Sequence, residues 1–137
     1  VSLSKLQKDP ESDMTLYDDG SYKKIIKPWG FFEVLMEDNK SKVKLLSIYP
    51  GQRISLQKHK YRSETWHIIN GEANIVKGKE NLILHAGESV VIEKNQLHRL
   101  ENKTKDALQI IEVQSGTYFG EDDIIRIKDS YGRAGLH

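Results

Sequence analysis

The chain contains 137 residues, a length that suits one domain, because a single hydrophobic core usually organises about 100–200 residues. Hydrophobic residues make up 37% and charged residues 30%, which is enough apolar material for a core and excludes wholesale disorder. Lys and Arg number 21 against 20 Asp and Glu, so the formal charge of +1 gives no reason to expect a nucleic acid or an anionic membrane as a partner.

The beginning of the chain is charged and poor in apolar residues, and Asp-Pro and Asp-Asp-Gly act there as turn signals. We expect residues 1–27 to form a loosely ordered polar arm, residues 28–133 to fold as one domain and residues 134–137 to form a tail. The N-terminus opens no secretory signal, and no apolar run approaches the roughly 20 residues that span a bilayer. We therefore expect a soluble, cytoplasmic protein.

After the arm, the sequence changes to short stretches rich in β-branched, aliphatic and aromatic residues, separated by Gly, Asn, Lys or Pro. This pattern predicts nine half-buried strands. Their ranges are 31–36, 42–49, 53–57, 64–69, 72–76, 81–84, 89–92, 98–101 and 108–114. An all-β jelly roll or barrel would hide the edges of so many strands and leave an interior for a ligand.

Glycine-containing turns between the strands predict hairpins. Asn70-Gly71 separates two of the strands, and Lys77-Gly78-Lys79 and Ala86-Gly87-Glu88 separate the next ones. We therefore expect strands that follow one another in the sequence to pair antiparallel. The isoleucines of residues 120–133 fit a strand and a helix equally, so we predict no element there.

Four potential metal ligands lie on or beside predicted strands. Residues two apart on a strand point to the same face, so Gln57 and His59 can both project into a barrel interior. With Glu64 and His98 from other strands, the set comprises two imidazoles, a carboxylate and an amide oxygen, which suits a divalent first-row metal ion. The chain has no cysteine, which excludes thiolate ligands and disulfides. An isolated Gln-x-His pair is more often surface decoration, so the interpretation depends on the whole set.

The spacing of this set resembles the two sequence motifs of the cupin superfamily, the small jelly-roll β-barrels. The first motif is matched by Gly51, Gln57, His59, Glu64 and Gly71. The second motif is matched by Gly87, His98 and Asn102. Asn95 stands where the second motif commonly has glycine, and asparagine tolerates the positive φ that glycine supplies. The resemblance implies a single-domain cupin, a double-stranded β-helix barrel.

Longer segments resemble the type II mannose-6-phosphate isomerase domain over residues 27 to 133. They include Lys27-Pro28-Trp29-Gly30, Ser55-Leu56-Gln57, Glu64-x-Trp66, His98-Arg99-Leu100-Glu101-Asn102, residues 111–116 and 120–124, and Tyr131-Gly132-Arg133. In that family the domain is often fused behind a mannose-1-phosphate guanylyltransferase domain. No nucleotide-binding sequence precedes it here, so we expect a stand-alone cupin.

The resemblance implies one divalent metal ion, most often zinc, held by Gln57, His59, Glu64 and His98. It also implies the interconversion of mannose 6-phosphate and fructose 6-phosphate, and a homodimer, since cupin barrels often dimerise. Family members often have His-His-His-Arg where this chain has His59-Lys60-Tyr61-Arg62. The first His and the Arg are retained, while the residues that line the mouth differ.

Such an isomerase moves a proton between C1 and C2 and must stabilise charge on the sugar oxygens. With Glu64 as the only anionic ligand, a divalent ion would keep a net charge of about +1 and polarise a carbonyl. The candidates for proton transfer are Glu112, Glu93 and Lys94, and the sequence does not choose among them. Phosphate recognition favours guanidinium and ammonium groups. The candidates for it are Arg62, Arg99, Arg133 and Lys58.

Three functions remain open from the sequence. The first is a metal-dependent sugar-phosphate isomerase. The second is a non-catalytic metal- and sugar-binding cupin module that acts with a separate mannose-1-phosphate guanylyltransferase. This second function is favoured by Lys60-Tyr61, which stands where family members often have two histidines. The third is another cupin enzyme, an epimerase or a dioxygenase, which Gln57 fits less well because an amide ligand suits redox-neutral chemistry. Basic residues directed into a metal-bearing cavity would favour a phosphorylated sugar substrate, and their absence would favour the module.

Overall fold

The structure of the protein, a computed structural model, describes residues 5–8, 14–17, 23–128 and 130. Every regular element in these residues is a β-strand, which confirms the all-β prediction. In chain order they are β1 (Lys5–Lys8), β2 (Met14–Tyr17), β3 (Lys23–Lys27), β4 (Gly30–Glu37), β5 (Ser41–Ile48), β6 (Leu56–Lys58), β7 (Arg62–Asn70), β8 (Glu72–Lys77), β9 (Glu80–His85), β10 (Ser89–Ile92), β11 (His98–Glu101), β12 (Leu108–Gly116) and β13 (Ile125–Lys128). The nine predicted strands correspond to β4 to β12.

The strands form two antiparallel sheets, as a jelly roll requires. The larger sheet has the order β1-β2-β3-β4-β5-β12-β7-β10, and the smaller has the order β13-β6-β11-β8-β9. The core draws residues from both sheets, among them Trp66 and Ile110 from the larger and Ile75 and Leu100 from the smaller. No helix in the described ranges is long and apolar enough to cross a membrane.

The hairpin prediction is right for one turn and wrong for two. Strands β8 and β9 pair across Lys77-Gly78-Lys79, as predicted. Strands β7 and β8 flank Asn70-Gly71 but belong to different sheets, as do β9 and β10 on either side of Ala86-Gly87-Glu88. These two turns carry the chain from one sheet to the other, because a jelly roll alternates its strands between two layers.

The range predicted as a loosely ordered arm contains three strands. Strand β3 pairs with β4 and continues the larger sheet through β2 to β1. Its residue Ile25 is buried in the core, so a segment that is mostly lysine still carries one apolar anchor. Residues 134–137, predicted as a tail, lie outside the described residues. The segment left without a prediction contributes β13, which pairs with β6.

The register of the larger sheet aligns inward-facing residues in layers. Between β12 and β5 the inward pairs are Leu108 with Ile48, Ile110 with Leu46, Glu112 with Lys44 and Gln114 with Lys42. Between β12 and β7 the corresponding pairs are Ile110 with Ile68, Glu112 with Trp66 and Gln114 with Glu64. Strands β5 and β12 therefore change from aliphatic to polar residues at the same level, whereas β7 has the Trp66 indole at that level and becomes polar one layer further on, at Glu64. One end of the barrel is an apolar core, and the other is lined by buried polar and charged groups.

Gly30 opens β4 at a point where the backbone of β5 approaches closely. A Cβ atom there would lie 2.0 Å from the carbonyl oxygen of Ser47, far inside van der Waals contact. We expect Gly30→Ala to lower the free energy of unfolding by about 3 kcal/mol, since main chain rather than a flexible side chain would have to move. Chemical denaturation of the purified protein measures this loss.

Gly87 is the matched control for this substitution. Its φ is also positive, but a Cβ atom there would meet nothing within 4 Å. Gly87→Ala should therefore cost only the conformational penalty of about 1 kcal/mol. Equal losses in the two variants would contradict the steric explanation.

Candidate active site

Two histidine side chains are fixed by their Nδ1 atoms and direct their Nε2 atoms to one point. His59 Nδ1 lies 2.6 Å from the carbonyl oxygen of Asp123, and His98 Nδ1 lies 2.9 Å from the carbonyl oxygen of Gln96. A carbonyl can only accept, so each Nδ1 carries the proton and each Nε2 presents a lone pair. Burial and the charge of Arg62 lower the pKa of His59 to about 3, which keeps its imidazole neutral.

The third member of the cluster is Glu64. Its Oε2 lies 3.2 Å from His59 Nε2, and its Oε1 lies 3.8 Å from His98 Nε2. The ligand atoms of the three residues all lie within 4.8 Å of one another, so a small inward shift would place them around one ion with bonds of about 2.0–2.2 Å, whose ligands lie at most about 4.4 Å apart. His98 Nε2 is buried and has no hydrogen-bond partner among the described residues. A metal ion would satisfy this atom, so the cluster fits a divalent cation.

Gln57 lies beside the cluster. Its strand places it opposite His98 in the antiparallel register of β6 and β11, and its side chain lines the same cavity as His59 and Glu64. The Ser55 hydroxyl donates to Gln57 Oε1 over 2.9 Å, which orients the amide oxygen. The structure thus gathers all four residues that the sequence proposed as ligands, three of them in direct mutual contact.

A second buried carboxyl group, Glu112, lies next to Glu64. The indole N–H of Trp66 donates to both, over 3.2 Å to Glu64 Oε1 and 2.9 Å to Glu112 Oε2. Burial and the nearby charge of Glu64 raise the pKa of Glu112. Burial acts in the same direction on Glu64, but the charge of Arg62 opposes it, and the pKa of Glu64 is lowered. Of the two carboxyl groups, Glu64 is therefore the stronger acid, and Glu112 binds a proton more readily.

The cluster opens onto a cavity with about 460 Å³ of empty space, counted to its open mouth. Four cationic side chains and three carboxyl groups line it. The cations are Lys27, Lys44, Arg62 and Arg126, all buried, and the carboxyl groups are Glu64, Glu112 and Glu121. The four cations outnumber the three carboxyl groups, so the lining carries an excess of positive charge. Such a cavity suits an anionic ligand.

The four residues predicted to bind phosphate have different locations. Arg62 lies in the cavity, where its Nε donates to Glu64 over 2.9 Å and its Nη2 to His59 Nε2 over 3.3 Å. Arg99 is not part of this cavity: it follows the inward-facing His98 on β11, so alternation turns it outward, where its Nε donates to the Ile54 carbonyl. Lys58 is turned away in the same manner between Gln57 and His59. Arg133 lies outside the described residues.

Only one of the three proton-transfer candidates lines the cavity. Glu112 is buried there beside Glu64. Glu93 and Lys94 are exposed in the turn before β11, which is closed by the Gln96 N–H donating to the Glu93 carbonyl. This turn needs a residue with positive φ, and Asn95 supplies it at 61°, as predicted.

The sequence did not identify four charged residues that complete the cavity, which are Lys27, Lys44, Glu121 and Arg126. Lys44 shares the inner face of β5 with Leu46 and Ile48, but Val43 and Leu45 make the outer face hydrophobic as well, so alternation did not single it out. Lys27 ends β3, in the range that was expected to be an arm. Glu121 lies between β12 and β13, and no spacing pattern in the sequence connects it with β3 or β5.

Comparison with known proteins identifies the relatives of this chain. The family model for the mannose-6-phosphate isomerase C-terminal region matches residues 17–129. The xanthan biosynthesis protein XanB of Xanthomonas campestris pv. campestris is 41% identical over 112 residues, which are 82% of this chain and 24% of that protein. A mannose-1-phosphate guanylyltransferase of Salmonella montevideo is 42% identical over 113 residues, again 82% of this chain and 24% of that protein. The chain therefore spans about a quarter of the length of these relatives.

Among solved structures, a Klebsiella pneumoniae protein with a double-stranded β-helix domain is similar with a TM-score of 0.61. It is 26% identical, and the match covers 69% of this chain and 80% of that one. The fold is thus the double-stranded β-helix of the cupins, as the sequence predicted.

The anchoring of His59 through Asp123 provides a test of the site. The Asp123 carboxylate accepts from the backbone N–H groups of Lys60 and Tyr61, each over 2.9 Å, while its carbonyl accepts from His59. We expect Asp123→Ala to weaken zinc binding about tenfold, because the loop that fixes His59 loses its tether. Competition with a chromophoric chelator measures this affinity.

The neighbouring Asp122 is the matched control. Its side chain is exposed and accepts a hydrogen bond from the Tyr118 hydroxyl. Asp122→Ala should bind zinc as the unchanged protein does. If the two variants bound zinc equally well, Asp123 would have no part in positioning the imidazole.

Proposed function

Because this chain belongs to the mannose-6-phosphate isomerase C-terminal family, we propose that it is a metal-dependent sugar-phosphate isomerase that interconverts mannose 6-phosphate and fructose 6-phosphate. The observation that carries the proposal is the juxtaposition of the His59, Glu64 and His98 cluster with a cavity lined by cationic side chains. The cluster suits a metal ion, for which we propose zinc, and the cations suit the phosphate of the substrate.

The metal residues have distinct roles in this proposal. His59 and His98 supply neutral nitrogen ligands whose orientation is set by the carbonyls of Asp123 and Gln96. Glu64 supplies the negative charge, and Gln57 offers an amide oxygen. With a single anionic ligand, the bound ion supplies Lewis-acid polarisation of the sugar carbonyl.

For the proton transfer we propose Glu112. The isomerisation moves one proton from C2 to C1 of the aldose and a second proton from the C2 hydroxyl to the C1 oxygen. In its ionised form Glu112 would accept the C2 proton and return it at C1, and the second proton would pass between the two neighbouring sugar oxygens. Glu112 lines the cavity beside the cluster and is oriented by Trp66 and by the Gln114 amide, which donates to Glu112 Oε1 over 2.7 Å. Trp66 is fully buried, so both anchors of this carboxyl group are fixed by the core.

The alternative is a binding module that retains the barrel and the metal but does not turn substrate over, acting with a separate mannose-1-phosphate guanylyltransferase. The excess of cations in the cavity and the Glu112 carboxyl group beside the cluster favour the isomerase. A pure sugar-binding module requires neither feature.

The deciding experiment is a coupled assay of fructose 6-phosphate formation from mannose 6-phosphate, with metal-stripped protein to which zinc, manganese, cobalt or nickel is restored. We expect turnover to depend on the metal and to fall to background in His59→Ala. His67→Ala is the matched control, because His67 lies exposed on the outer face of β7, hydrogen-bonded to the Ser89 hydroxyl. Turnover absent with every metal, despite one bound ion per chain by elemental analysis, would instead support the module.

Glu112→Gln tests the proton-transfer group in the same assay. The amide keeps the shape of the side chain and can still donate to Glu64, but it cannot accept the substrate proton. We expect kcat to fall by about 10²–10⁴-fold while zinc content stays unchanged. Glu93→Gln should retain full activity because Glu93 is exposed outside the cavity. The reverse pattern would transfer the role to Glu93.

A further inference from the structure

Glu121 connects two buried lysines across the mouth of the cavity. Lys44 Nζ lies 2.9 Å from Glu121 Oε2, and Lys27 Nζ lies 3.6 Å from Glu121 Oε1. The side chains of Lys44 and Lys27 are only 3% and 5% exposed, whereas that of Glu121 is 40% exposed. Two ammonium groups on the sheet are thus fixed in place, and a partly exposed carboxylate lies over them.

The two lysines are held by the sheet independently of this carboxylate. They extend from β3 and β5 on either side of β4, and both ammonium groups lie over the ring of Phe32, at 5.8 Å for Lys27 and 4.0 Å for Lys44. An aromatic face attracts a cation and fixes its position. The spacing of the two ammonium groups is therefore a property of the sheet.

Glu121 differs from the lysines in how it is anchored. It belongs to the segment between β12 and β13, in a turn closed by the Asp123 N–H donating to the Gly120 carbonyl. Burial would raise the pKa of Glu121, but Lys44, Lys27 and Arg62 lower it well below its ordinary value, so it is an anion. Its side chain can leave the lysines by rotating toward solvent, without breaking any strand pairing.

The guanidinium of Arg62 offers a further hydrogen-bond donor in the same cavity. Arg62 Nη1 is buried and has no hydrogen-bond partner in the described part of the chain, although the Nε and Nη2 of the same guanidinium are both engaged. A planar guanidinium with an open N–H is suited to a phosphate oxygen.

We propose that Lys27, Lys44 and Arg62 form the phosphate subsite of the cavity, and that Glu121 occupies this subsite as an internal anion that the phosphate of the substrate displaces. This inference rests on the proposed function, because it assigns the phosphate of that substrate to named residues. A phosphate dianion carries more charge and more acceptor oxygens than a carboxylate, so it can replace Glu121 on both lysines. Glu121 would then neutralise the two lysines until a phosphorylated sugar arrives and would select against sugars without a phosphate.

The test is calorimetric titration of inorganic phosphate into the metal-stripped full chain, where no metal ion can bind the anion. Glu121→Gln removes the internal competitor, and we expect it to bind phosphate at least about tenfold more tightly than the unchanged protein. Lys44→Met removes one of the two ammonium groups of the subsite and should weaken phosphate binding at least about tenfold. Thermal midpoints with and without phosphate are recorded in parallel, and the phosphate-induced rise should be largest in Glu121→Gln.

A matched pair on the same strand controls for the loss of a buried ion pair. Lys42 lies two residues from Lys44 on the same face of β5, is equally buried, and forms an ion pair with Glu37 at 3.7 Å outside the cavity. Lys42→Met and Glu37→Gln should lose stability without changing phosphate affinity. If Glu121→Gln proves too unstable to titrate, Glu121→Asp replaces it, since the shorter carboxylate reaches the lysines less well and should give an intermediate gain.

The outcomes separate this inference from the proposed reaction. Phosphate affinity within about twofold of the unchanged protein in both Glu121→Gln and Lys44→Met would overturn the subsite, whether or not the coupled assay shows turnover. The predicted shifts in phosphate affinity together with absent turnover would support the subsite and overturn the isomerase. Mannose 6-phosphate should reproduce the order of affinities found with inorganic phosphate, and mannose should not.

Discussion

The register of β5, β12 and β7 is the constraint on which both the core and the site depend. Along β5 and β12 the inward residues change from aliphatic to polar at the same level, and β7 follows one layer later, so Glu112 meets Lys44 and the Trp66 indole across the sheet. A slip of one residue would turn these side chains to solvent, and a slip of two would place a charge in an aliphatic layer. The apolar half of the barrel fixes the register, and the register in turn assembles the polar half.

Glu64 shows how this assembly makes a buried charge tolerable. Its carboxylate is almost fully buried, yet it contacts Arg62, the Trp66 indole and both histidines. A buried ion without such partners would cost several kcal/mol or would change its protonation state. Because the partners come from β7, β11 and the loop before β7, the same contacts that neutralise the charge also bring the metal ligands together.

The strands could be predicted from the sequence because alternation and turn residues are local signals, and β4 to β12 followed them. The pairing of β7 with β8 was predicted wrongly, because a glycine turn specifies a change of direction but not whether the next strand stays in the same sheet. Gln57 and His59 were recognised as candidate ligands because residues two apart in an extended segment face the same way, although the strand itself ends at Lys58. By the same alternation, the side chain of Arg99 points away from the face that carries His98, and that of Lys58 points away from the face that carries Gln57 and His59. Both residues were predicted to bind phosphate because they are close in sequence to the candidate ligands.

Lys44 could not be identified in this way. Both faces of β5 carry hydrophobic residues, with Val43 and Leu45 on one and Leu46 and Ile48 on the other, so its inner face is ambiguous in the sequence. The partnership of Lys44 with Glu121 joins residues 77 positions apart and depends on the tertiary structure.

The ribosome synthesises residues 117–128 after the residues of the candidate metal cluster, and this order bears on how the site forms. The residues of the candidate metal cluster lie between residues 59 and 98, whereas the groups that hold His59 and neutralise the lysines lie at residues 121 and 123. A nascent chain that emerges from its N-terminus presents the imidazoles before the segment that restrains them. The cluster can therefore reach its final geometry only after residues 121 and 123 have been synthesised, because His59 has no anchor for its Nδ1 until then.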